Sequence, residues 1–279
     1  MFKLSESPVW SEKTLSWYWV DIIECKVFRL FNGSQTVVLN IEGPVSNLIN
    51  ASDGFVVSLE NSIVSYSQGF EAKSVLSEIA HDSNFRCNDG AVGPDGTFYF
   101  GTMEKKPQGL DGKLYSLDIR GNLLEQGSGI GIPNSFIWLD DHLVLISDSF
   151  LQKTFKVELL VDGNLNWSGR ELWLDLSHTS ATPDGGTLDE NGNIWLAIWG
   201  GAVVHQYSPD GVLLDKIELN ALQPTSCAFG GSNMNELLIT TATEGMNDDQ
   251  LKLYPESGRV IQKSMAVKGN ISPIFAVNI

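Results

Sequence analysis

Four oxygen-bearing side chains in this 279-residue chain share one spacing: Glu6, Asn88, Asn134 and Asp184 each stand four residues ahead of an apolar residue that leads into a turn, namely Trp10, Val92, Trp138 and Leu188. Two carboxylates and one or two amides are hard oxygen donors, the kind that Ca²⁺, Mg²⁺ and Mn²⁺ select, with Zn²⁺ admitted at a lower ligand number. Glu6 and Asp184 would neutralise the charge of one such ion. A neutral Asn134 would preserve its Lewis acidity toward a carbonyl, while Asn88 is open to holding either the ion or a substrate. Arg86, two residues before Asn88, carries a planar, permanently charged fork of donors. Asn and Asp also favour turns in their own right, so it is the shared spacing that singles these residues out. The same count reaches Val45 ahead of Ile49 and Thr225 ahead of Phe229; the polar set is not a feature of every repeat.

Residues this far apart in sequence can act together only if the fold returns to one place again and again. Segments such as "LSWYWVDI", "GFVVSLENSIVSYS", "TFYFGTM", "HLVLISDS", "NIWLAIWG" and "ELLITTAT" are short, rich in aromatic and β-branched residues, and bounded by Gly, Asp and Asn turns. No long stretch carries a helical period. The anchors Trp10, Ile49, Val92, Trp138, Leu188 and Phe229 are separated by 39, 43, 46, 50 and 41 residues, close to the length of one four-stranded propeller blade. Two β-sandwiches would show similar turns but need no such longer period. The spacing therefore predicts an all-β chain, a six-bladed β-propeller with four-stranded antiparallel blades. It also predicts a single domain over residues 1–279 and a ring closed by pairing strands from the two termini, which removes a free edge. The innermost strands of such a fold line a central channel, so equivalent positions on different blades converge there.

Composition narrows the partners. A net charge of −16 disfavours nucleic acid and anionic membranes, both of which would repel the surface. No run of eighteen apolar residues is present, as a spanning helix would need, and the opening "MFKLSESPVW" lacks the basic and apolar regions of a secretory signal, so the expected location is cytoplasmic. Cys25, Cys87 and Cys227 lie far apart without CxxC spacing, which argues for buried thiols over a zinc knot or a disulfide framework. His81, His142, His178 and His205 form no metal-binding spacing. Ser149 in "SDSF" lacks a nucleophile elbow, and the eight tryptophans are expected to pack between blades.

At these residues the chain resembles the regucalcin and gluconolactonase family. "SESPVW", "RCNDGAVGPDGTFYFGTM", "GIPNSFIW", "TPDGGTLDENGNIWLAIWGG" and "PTSCAFGG" are similar to family segments in the family's order, and together they cover most of the chain. The resemblance implies a six-bladed propeller with one divalent metal ion held by Glu6, Asn134 and Asp184. It further implies that Asp184 stands near the reacting centre as the catalytic residue and that Arg86 and Asn88 bind substrate. The implied activity is that of a metal-dependent lactonase, opening a small-molecule sugar lactone, gluconolactone-like, to its aldonic acid. A calcium-binding regulatory propeller without turnover and a propeller scaffold for protein binding are the alternatives. Asp89, next to Gly90, reads as a brace for its own turn. Two departures stand out: "EKKPQGLDGKLY" after "GTM" has no assured equivalent of a family substrate-binding acid, and Asn134-Ser135 replaces the family's more usual Asn-Gly.

Overall fold

The strand Ser16–Asp21, SWYWVD, is buried along its whole length, and its counterparts Gly54–Leu59, Phe98–Glu104, Leu143–Asp148, Ile194–Trp199 and Glu236–Ala242 are buried at nearly every position. Such continuous apolar runs, without polar alternation, are what a strand needs when both faces of its sheet are covered. The outermost strands behave differently. Ser34–Asn40 and Leu213–Glu218 are mostly exposed and carry the charged and polar residues that an edge requires.

The computed structural model describes residues 1–71 and 73–277. The fold is a six-bladed β-propeller of antiparallel sheets, each built from one continuous stretch of sequence. Blades 1 to 5 have four strands, and blade 6 has three among the described residues. The first strands of the blades, in order, are Ser5–Ser11, Val45–Ala51, Phe85–Val92, Pro133–Trp138, Thr182–Leu188 and Gln223–Gly230. All six anchors and all six residues four positions before them fall on these strands.

The chain forms two compact units. One comprises Met1–Pro44 with Leu176–Ile271 and holds blades 5, 6 and 1; the other comprises Val45–Asp175 with the chain from Ser272 and holds blades 2, 3 and 4. In the first, the anchor Phe229 meets Trp195 of blade 5 edge-on at 6.2 Å. A Cβ on Gly230 would stand 2.4 Å from the Trp10 side chain, so glycine is what allows blades 6 and 1 to approach. In the second, Ile49 and Val92 share a core with Phe98 and Phe100, and Trp138 packs on Tyr99 at 5.1 Å. Fully burying a side chain such as Phe98 or Phe100, both 0% exposed, contributes about 1.5–3 kcal/mol. Trp10, Ile49, Trp138 and Phe229 are therefore contacts between neighbouring blades.

Among the described residues the expected pairing of the two termini is reduced to a short contact. Leu4 bridges Ala242, Phe2 N–H donates to the Gly258 carbonyl at 2.8 Å, and Ser5 Oγ donates to the Thr241 carbonyl at 2.6 Å, all on blade 6. At the other end Phe275 bridges Ala51 of blade 2. Backbone groups near the described ends of the chain are satisfied in this way by single bridges.

Candidate functional site

Each blade's first strand breaks register with its neighbour within the five residues before its anchor. The break falls between Glu6 and Val9, Val45 and Asn47, Cys87 and Gly90, Asn134 and Ile137, Pro183 and Gly186, and Pro224 and Ser226. Every residue found by counting back four from an anchor therefore stands at or inside a β-bulge. Bulges unpair a residue and re-aim its side chain. This gives the spacing a physical basis that turn preference alone does not supply.

In the unit of blades 2, 3 and 4, the sequence-predicted residues come together. Asn88 donates from Nδ2 to the Pro133 carbonyl at 2.8 Å and to Asn134 Oδ1 at 2.9 Å. Its Oδ1 accepts from Arg86 Nη1 at 2.5 Å, and the same nitrogen donates to the Cys87 carbonyl at 2.9 Å. Asn134 in turn donates from Nδ2 to Ser149 Oγ at 2.8 Å. Asn88 and Asn134 are 8% and 5% exposed, so their amides are fixed in orientation by partners rather than by water. Ser149 has no visible signal in the sequence as a nucleophile; its place is beside Asn134, in the turn that follows Leu143–Asp148.

Asp89 reaches further than its own turn. Its Oδ1 accepts from Gly90 N–H at 2.8 Å and from Asn47 Nδ2 at 3.0 Å, and its Oδ2 accepts from Ser135 N–H at 2.8 Å. One carboxylate thus touches blades 2, 3 and 4. Burial pushes its pKa up to about 6 against the pull of those three hydrogen bonds. Ser135 has φ +56°, in the left-handed region that glycine occupies at no steric cost. That explains why Asn-Gly suits this position. Here serine holds the same backbone with the help of Asp89 and of Ser147 Oγ, which donates to Ser135 Oγ at 3.0 Å.

The unit of blades 5, 6 and 1 carries the two carboxylates. Asp184 is 6% exposed. The next residue, Gly185, lies so close to blade 6 that a Cβ would stand 2.2 Å from Ser226 Oγ. The neighbour of Ser226, Thr225, donates from Oγ1 to the Ser5 carbonyl at 2.6 Å, immediately before Glu6. Glu6 is half-buried, with Oε2 accepting from Ser7 N–H at 3.2 Å. Ser7, like Ser135, has positive φ, at +52°. The bulges of blades 5, 6 and 1 are thereby locked side by side through small residues and hydroxyls.

By their chemistry alone, the Glu6 and Asp184 carboxylates of one unit and the Asn134 amide oxygen of the other are hard oxygen donors of the kind a divalent cation takes, and the Asn134 amide is held in its own unit by Asn88 and Ser149. Among the described residues no group of three or more His, Cys, Asp or Glu side chains is placed to hold a metal.

Residues 4–243 match the family described as SMP-30/Gluconolactonase/LRE-like region. The chain belongs to this family. Regucalcin of Xenopus laevis is 31% identical over 99% of this chain and 95% of its own length. Human regucalcin is also 31% identical, over 96% of this chain and 93% of its own length. Among solved structures, regucalcin from Agrobacterium tumefaciens, described as a calcium-binding protein, superposes with a TM-score of 0.91 at 26% identity, covering 98% of this chain and 94% of that one. Membership of the SMP-30/gluconolactonase family accords with the propeller and with a sugar-lactonase or calcium-binding role. No helix among the described residues is long and apolar enough to cross a membrane.

Proposed function

We propose that this protein is a metal-dependent hydrolase that opens a sugar lactone, gluconolactone-like, to its aldonic acid. The observation that carries the reading is the repeated bulge, which places Glu6, Asn88, Asn134 and Asp184 at one phase of the blade, with Arg86 bonded to Asn88. Family membership supports it.

In this reading Glu6, Asn134 and Asp184 hold one divalent cation. When bound, the ion polarises the lactone carbonyl and lowers the pKa of water beside it. Arg86 and Asn88 hold the ring through its hydroxyls, and the hydrogen bonds of Asn88 to Arg86 and Asn134 keep both oriented. Asp184 accepts a proton from the water that attacks the carbonyl carbon. The bond from that carbon to the ring oxygen then breaks, and the ring oxygen leaves as a hydroxyl after taking up a proton. The product is the open hydroxy acid, and no acyl-enzyme is required.

A panel of γ- and δ-lactones assayed with and without chelator tests the proposal. Hydrolysis that disappears on chelation and returns with a divalent ion supports it. A second reading, a calcium-binding propeller without turnover, is favoured by the description of the Agrobacterium protein as calcium-binding. Stoichiometric Ca²⁺ binding with no hydrolysis of any lactone would decide for that reading.

A further inference from the structure

We infer that Asp89 is a positioning residue that sets the Asn134 amide for the reaction by clamping the left-handed backbone of Ser135. The inference rests on the lactonase reading for its kinetic consequence, and on the hydrogen-bond geometry for its placement.

The geometry has three parts. First, the bulge between Asn134 and Ile137 depends on Ser135 at φ +56°, a conformation that costs a non-glycine residue about 1 kcal/mol or more. Second, Asp89 Oδ2 accepts the Ser135 N–H at 2.8 Å, a charge-assisted bond that holds the peptide joining Asn134 to Ser135. Third, the clamp is itself anchored. Asp89 Oδ1 is fixed by Gly90 N–H at 2.8 Å and by Asn47 Nδ2 at 3.0 Å, and Asn47 Nδ2 also donates to the Gly90 carbonyl at 2.9 Å. Asn47 is 2% exposed, so this anchor is built into the core of the blade pair.

The consequence concerns direction more than attraction. If Ser135 left the left-handed region, the course of the chain through Asn134 would change and carry its side chain away from Asn88 and Ser149, its two hydrogen-bond partners. An outer residue that orients a cation ligand in this way characteristically changes metal affinity by about 10–100-fold when replaced. Asp89 makes no claim on substrate. It acts through Ser135, and its loss should fall on cation affinity and turnover, leaving the Arg86-dependent binding of substrate largely alone.

Asp89→Asn keeps the size of the side chain but turns one acceptor atom into a donor, so it cannot satisfy all three N–H groups. Mn²⁺ affinity followed by electron paramagnetic resonance gives a readout separate from activity. The expected result is a folded variant with Mn²⁺ affinity lower by about 10-fold or more, lower kcat, and KM within about 3-fold of the parent. The double variant Asp89→Asn with Ser135→Gly supplies the decisive comparison. Glycine adopts the left-handed backbone without the clamp, so it should recover part of the Mn²⁺ affinity, which a general loss of packing would not. If Asp89→Asn is too unstable to purify, Asn47→Ser, which slackens the anchor, should shift Mn²⁺ affinity in the same direction. Unchanged Mn²⁺ affinity in these variants, or no recovery on adding Ser135→Gly, overturns the inference while leaving the lactonase reading intact. A parent protein that binds Mn²⁺ but hydrolyses no lactone removes the lactonase reading alone, and the affinity comparison still decides the role of Asp89. A parent that binds no Mn²⁺ overturns both.

Discussion

Asn88 Nδ2 stands 2.9 Å from Asn134 Oδ1, joining two residues that are 46 positions apart in sequence and one blade apart in the fold. The same Asn88 receives Arg86 on its oxygen. A residue assigned to substrate and a residue assigned to the cation are therefore coupled through one amide, whose two N–H groups and oxygen are all in use.

That coupling separates two substitutions that would otherwise look alike. Arg86→Ala removes donors to substrate but leaves the amide pair, so KM for a lactone should rise by about 10–100-fold, the value of a hydrogen bond to a charged group, with little change in metal content. Asn88→Ala should raise KM and also weaken cation binding, because it strips Asn134 of its partner. Metal analysis alongside steady-state kinetics checks both. Loss of metal in Arg86→Ala without a kinetic change would reverse the two assignments.

The thiols offer a test of the packing. Burial pushes the Cys87 thiol up to about 12 and raises that of Cys227 as well, and both are buried. Cys25 is half-buried and also raised, first by burial. Since the thiolate is the reactive species, native protein at pH 8 should show at most one slowly reacting thiol. All three should react after denaturation. Counting released chromophore from an aromatic disulfide reagent is the measurement, and two fast thiols in the native protein would contradict the packing.

Much of this was legible because a propeller repeats its physics. Each blade must bury the same second strand, which makes Ser16–Asp21 and Ile194–Trp199 read alike, and each first strand bulges within five residues before its anchor, so counting back from Trp10 and Leu188 reaches Glu6 and Asp184 at or inside a bulge. What stayed hidden has equally physical causes. Asn47 and Ser149 act through side-chain hydrogen bonds to other blades or turns, which leave no periodic trace. Asp89 carries an ordinary Asp-Gly turn signature while its second oxygen serves Ser135. The docking of Leu4 on blade 6 depends on backbone bridges that strand propensity does not distinguish from a shared sheet.

The histidines make stability depend on pH with a definite sign. Burial holds His81 below its ordinary 6.5; burial and then the nearby Lys216 charge hold His205 below it as well, with His205 Nδ1 and the Tyr207 hydroxyl 2.8 Å apart. The folded protein keeps these rings neutral while the unfolded chain takes up protons as pH falls through 6.5. Their contribution is therefore complete above that pH and is lost below it, until the lowered folded-state pKa is reached. Buried carboxyls such as Asp89 act in the opposite sense, so the comparison should be between parent and His205→Gln. Urea midpoints at pH 7.5 and 5.5 should fall less in the variant. Equal falls would show that His205 is not titrating as its surroundings imply.

Asp184 is asked to do two things: ligate the cation and take a proton from the attacking water. Asn keeps the size and one coordinating oxygen but removes the charge and the basicity, so it separates the tasks better than Ala. Asp184 is 6% exposed and Gly185 is wedged against Ser226, which makes an isosteric replacement the one least disturbing to the bulge. Asp184→Asn should fold, bind metal more weakly, and at saturating metal still lose turnover by about 10²-fold or more, within the range of general base catalysis. Recovery of the full rate at high metal would leave Asp184 as a ligand only. A rate equal to the parent's at low metal would remove it from the site, and the shared bulge would then have to be explained by folding alone.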